Sequence, residues 1–113
     1  MIGTSLETIV QSANLLDVVH RSALRAGDLI FVKTCNSEYS IRVVEKGLFV
    51  VSGGWFDLNG KSPITTRIPG CTWGGTAIKT DIVAACGLRI EFGNRLITSP
   101  IEKIFVFSRV IGN

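Results

Sequence analysis

From Asp28 onward the chain is a succession of short apolar or alternating runs, each stopped by a turn signal within about eight to twelve residues. No other feature limits the fold so strongly, because runs of that length suit strands and leave little room for long helices. Leu29-Ile30-Phe31-Val32-Lys33 reads as a strand, and Cys35-Asn36-Ser37-Glu38 has the composition of a turn. Tyr39 to Glu45 reads as a second strand, with Tyr39, Ile41 and Val43 on one face and Ser40, Arg42 and Val44 on the other. Lys46-Gly47 reverses the chain into Leu48-Phe49-Val50-Val51, which completes a three-stranded meander of about 25 residues. That third strand is apolar on both faces, as expected where a strand is covered from both sides, in a barrel wall backed by a helix or at an interface.

Asp57 to Pro63 reads as a loop around Asn59-Gly60, and Ile64 to Ile68 as a short β-branched strand stopped by Pro69-Gly70. Asp81 to Cys86 fits a strand or a short helix. Leu88-Arg89-Ile90-Glu91-Phe92 alternates cleanly into Gly93-Asn94, a two-residue hairpin signal. That turn sets Phe92 opposite Arg95, Ile90 opposite Ile97 and Leu88 opposite Ser99. Ile104-Phe105-Val106-Phe107 closes the chain as a further strand, again apolar on both faces.

Ahead of the β region, Thr4 and Glu7 stand at capping-box spacing. Leu6, Ile9, Val10, Ala13, Leu16 and Val19 then recur at helical spacing, which predicts an amphipathic helix over 5–20. The expected architecture is mainly β (α+β): a single domain over 1–113, with a small antiparallel β-barrel or rolled sheet over 28–110. The helix would pack on the barrel or plug one end.

Composition narrows the function classes. The chain has 113 residues, enough for one core without staples. Only 19% of them are charged, and mean hydropathy is +0.38. A small domain normally covers its surface with charge, so this deficit points to apolar surface hidden by another copy or by a partner. Net charge is +3 with the basic residues dispersed, which gives no nucleic-acid tail. Cys35, Cys71 and Cys86 are odd in number and widely spaced, the pattern of reduced thiols in a reducing compartment rather than of a disulfide framework or zinc site. With no signal peptide and no apolar run of spanning length, the expectation is a cytoplasmic protein that does not enter the membrane.

Catalytic motifs are hard to assemble. Gly60-Lys61-Ser62 resembles the end of a phosphate-binding loop, but that pattern needs glycine where Trp55 stands, and the segment beyond begins with Pro63 and β-branched residues rather than a helix. His20 is the single histidine, expected at the end of the helix in a structural role. The carboxylates fall on turns, caps and polar strand faces, and no pair forms an acid/base couple. No catalytic residue, metal ligand or cofactor is expected.

Two segments are less generic: Ser52-Gly53-Gly54-Trp55-Phe56 and Cys71-Thr72-Trp73-Gly74-Gly75-Thr76. In one reading Trp55 and Trp73 are core plugs at barrel corners, with glycines supplying the bends. In the other, Trp55, Phe56 and Trp73 are displayed on a rim beside Lys61 and Arg67, suited to stacking on bases, a peptide or a sugar. The expected function is a non-catalytic binding or assembly module that self-associates or binds a protein partner. The alternatives are a nucleic-acid-binding barrel using exposed tryptophan and basic residues, and an enzyme completed across a subunit boundary through Cys71.

Overall fold

The computed structural model describes residues 13–45, 47–74 and 78–108. Among these residues there are ten strands: β1 Ala13–Leu16, β2 Val18–His20, β3 Leu29–Thr34, β4 Glu38–Glu45, β5 Leu48–Gly53, β6 Ile64–Thr66, β7 Gly70–Thr72, β8 Ile82–Ala85, β9 Arg89–Glu91 and β10 Ile101–Phe107. One short helix, α1 (Gly54–Leu58), follows β5, and a single 3₁₀ turn spans Arg21–Ala23. Six strands form an antiparallel sheet in the order β1-β10-β3-β4-β5-β6, while β2 pairs with β8 and β7 with β9 in two small ladders.

The meander reads out as its sequence pattern requires. Alternation sends Tyr39, Ile41 and Val43 inward, opposite Val32, Ile30, Val51 and Phe49 on the neighbouring strands. Thr34 shapes the β3–β4 turn. Its buried hydroxyl accepts from the amides of Asn36 and Ser37 and receives the Ser99 hydroxyl at 2.8 Å. The core continues through Ile68, Cys71, Val83, Ala84, Ile90 and Phe92 of the small ladders and their flanks. Phe56, Phe92 and Tyr39 meet there as edge-on or tilted aromatic pairs, with centroids 5.1 to 6.1 Å apart.

Three expectations change. The sheet is open, because its terminal strands β1 and β6 do not pair with one another, and no barrel closes. Its inner face is covered instead by the two small ladders and α1, so closure is not needed to bury the core. The helix expected over 5–20 is replaced by strand from Ala13 to His20, and 5–12 lie outside the described residues. The helical stripe fails because β10 and β8 offer open backbone edges to this segment, and pairing along them satisfies the amides that a helix would have satisfied internally. His20 accordingly sits exposed at the end of β2 rather than at a helix terminus.

The hairpin after β9 is the third change. Glu91 pairs with Ile97, the Arg95 amide donates to the Phe92 carbonyl, and Arg95 itself adopts φ 70. This is a three-residue loop with its last residue left-handed, so the register slips by one from the two-residue turn expected of Gly93-Asn94. The ambiguous segment Asp81 to Cys86 resolves as β8.

Candidate functional site

The other face of the six-stranded sheet presents the surface that alternation leaves outside. Cross-strand partners share a face, so the register defines rows across the sheet. One row runs Leu15, Phe105, Phe31, Ser40, Ser52; the next runs Phe107, Leu29, Arg42, Val50, Thr65. A third, toward the β3–β4 turn, holds Lys103, Lys33 and Glu38. The first two rows are largely apolar where they cross β10 and β3. Leu15 is 64% exposed, Phe31 40% and Phe105 37%. Phe107, Leu29 and Val50 are half-buried, and the Phe31 and Phe107 rings meet edge-on at 5.9 Å.

Neither β5 nor β10 is covered on both sides by the described residues, although both are apolar on both faces. A contiguous apolar patch on a small soluble domain is a contact surface more often than an accident. Covering the exposed remainder of each such side chain is worth on the order of 1 kcal/mol. At the Glu38 end the face hollows into a depression of about 590 Å³, lined by Phe31, Lys33, Glu38, Ser40, Ser52 and Asp57 among others. Among the described residues the one ion pair is Lys33–Glu102 at 3.5 Å, so Glu38 and Arg42 have no ion-pair partner among those residues and present their charges on this face.

The residues singled out from sequence separate into different places. Phe56 is fully buried in the aromatic cluster. Trp55 is half-buried, edge-on to Phe56 at 5.6 Å, and its amide donates to the Tyr39 hydroxyl at 3.4 Å. The preceding glycines make this possible. Gly53 and Gly54 have φ 104 and 44, and side chains there would collide with the Glu38 carbonyl and the Tyr39 ring. Lys61 is exposed, its amide donating to the Phe56 carbonyl at the close of α1. Arg67 is also exposed and donates to the Gly47 carbonyl at 3.5 Å. Trp73 is 65% exposed at the end of β7, with Lys79 Nζ 5.6 Å from its ring centre and Arg89 close to the neighbouring Gly74. Trp55 thus keeps company with an aromatic ring, and Trp73 with a cation.

Leu15, Phe31 and Phe105 were not singled out from sequence. The signal for Phe31 and Phe105 lies in the unbroken apolar run of β3 and the two-faced apolar pattern of β10, but the sharing of one row by Leu15, Phe105 and Phe31 requires the strand order. A second concavity, of about 840 Å³, is lined by Leu24, Val43, Phe49, His20, Glu45 and Asp81 among others. Arg21, which also borders it, donates to the carbonyls of Thr80, Ile68 and Pro69 and so braces the small ladders. Cys71 does not suit nucleophilic chemistry: it is buried, its thiol donates to the Val83 carbonyl at 3.3 Å, and burial pushes its pKa from 9.0 to about 11. Among the described residues no helix is long and apolar enough to cross a membrane. Comparison with protein-family models, curated proteins and solved structures gives no match, and the functional reading therefore rests on the geometry of this chain.

Proposed function

We propose that the protein is a non-catalytic contact module that presents the outer face of its six-stranded sheet to a protein surface, its own or another's. The observation that carries this reading is the row Leu15–Phe105–Phe31, apolar and partly exposed on a sheet whose other face already holds the core. The sparse charge of the chain agrees with it, since an outer face meant for water needs polar residues at those positions.

Site-specific photo-crosslinking tests it. A photoreactive phenylalanine analogue at position 31 or 105 is expected to give discrete protein adducts in cells that make the protein. The same analogue at Leu58, 85% exposed on α1 and outside the rows of the six-stranded sheet, supplies the background. Adducts from 31 and 105 no stronger than those from 58 would sink the proposal.

A second reading, binding of single-stranded nucleic acid, is favoured by Trp73 alone, where an exposed indole lies beside Lys79 and Arg89 approaches the adjoining Gly74. Stacking of a base on such a ring is worth about 1–3 kcal/mol. Titration with a labelled oligonucleotide at two salt concentrations decides it, binding being expected to weaken steeply with salt and to vanish in Trp73→Ala.

A further inference from the structure

Resting on the proposed outer-face contact, we infer that the surface covering this face is the same face of a second copy, related by a two-fold axis along the row Leu15–Phe105–Phe31–Ser40–Ser52. The charges are placed symmetrically about this row. Glu38 and Arg42 both point outward from β4 and lie two residues to either side of Ser40. A two-fold axis through the Ser40 row and parallel to the sheet reverses strand direction while keeping β4 over β4. Glu38 of one copy then lies over Arg42 of the other, and the pair occurs twice.

The same operation handles the rest of the face. Phe31, Phe105 and Leu15 meet their own counterparts along the axis, which buries the most exposed apolar side chains together. Lys103 comes over Phe107 of the other copy, a cation above an aromatic ring. Lys33, held by Glu102, lays its aliphatic stem over Leu29. The depression at the Glu38 end gives the long Arg42 side chain of the other copy room to enter. Stacked sheets sit about 10 Å apart at roughly 30°, a spacing that arginine and glutamate side chains bridge. A partner of unrelated sequence has no reason to match a pattern whose opposite charges are placed symmetrically about one row. A second copy matches it by construction.

Charge reversal on the full chain tests this by sedimentation equilibrium. The unsubstituted protein is expected to be a dimer, and Glu38→Arg and Arg42→Glu should each weaken dimerisation by at least about tenfold, since each sets like charges face to face twice. The combined variant E38R/R42E recreates the complementary pattern and should return to within about threefold of the original constant. A monomeric unsubstituted protein at about 100 μM, or a double variant no tighter than the singles, overturns the inference. Should a reversed variant lose its β-sheet circular dichroism, Glu38→Gln, Arg42→Gln and their combination replace the series. The two positions are about 13 Å apart along one strand, so non-additivity between them reports contact across the dimer, and additivity overturns it. The crosslinking at position 31 separates the two levels of the argument. Adducts to a different protein alone, with a monomeric chain, leave the outer-face contact standing and remove the second copy. No adduct beyond background removes both.

Discussion

The two faces of the six-stranded sheet are made from the same kinds of residue and end in opposite circumstances. Inward, Ile30, Val32, Ile41, Val51 and Ile104 are fully buried beneath the small ladders and α1. Outward, Phe31, Phe105 and Leu15 are as apolar but remain partly open to water. Hydrophobicity alone therefore does not say which face of a strand makes the core; what lies above it does. β3 and β10 carry two burial signals, one met among the described residues and one left over.

Substitutions in the two faces should separate these signals. The largest effect belongs to the inner side: Phe92→Ala removes a buried ring from between Phe56 and Tyr39 and should cost about 3–5 kcal/mol in urea unfolding. Gly53→Ala should follow, at about 2–3 kcal/mol, because it combines φ 104 with a clash against the Glu38 carbonyl. Cys71 gives a pH signature confined to the inner side. Its folded pKa lies above its unfolded one, so the stability this adds is complete below pH 9 and disappears as pH rises toward about 11. Unfolding should thus lose up to about 1.4 kcal/mol per pH unit across that window, relative to Cys71→Ala normalised at neutral pH.

On the outer face the same kind of change should scarcely register in the isolated fold. Phe105→Ser is expected to shift the stability of dilute protein by less than about 1 kcal/mol while weakening association. A loss as large as that of Phe92→Ala would erase the distinction between the faces. The smallest effect is at Trp73: Lys79→Ala removes a cation worth about 0.5–1 kcal/mol, visible as a shift in indole emission more readily than in unfolding. Acrylamide should quench Trp73 strongly and Trp55 weakly, so Trp73→Phe leaves a shielded emission.

Local pattern made much of the β region readable. The faces of β4, the positions of β3 and β5 and the reversal near Gly93 all follow from alternation and turn composition. The errors arise where an outcome depends on distant strands. Leu16 and Val19 fit a helical stripe, yet Val19 alone of 15–20 is buried, and the segment is held by pairing to β10 and β8, strands more than sixty residues away. Whether a sheet closes depends on how its inner face is covered, a fact divided among β2, β7, β8, β9 and α1. The extra loop residue at Arg95 is also hidden, because arginine gives no warning of a left-handed backbone. For the candidate site the reason is similar. Leu15, Phe31 and Phe105 become neighbours only once the order β1-β10-β3 is known.

The glycine pair beneath Tyr39 has a mechanical consequence. Tyr39 stands between Glu38 and Ser40 on β4, its ring pressed where Gly54 lacks a side chain and its hydroxyl touching the Trp55 amide. A tilt imposed on β4 from outside would press that ring against the Trp55 backbone. Trp55 is a built-in gauge: its emission is expected to follow occupancy of the outer face, whose depression Gly54 and Asp57 of the same short helix line.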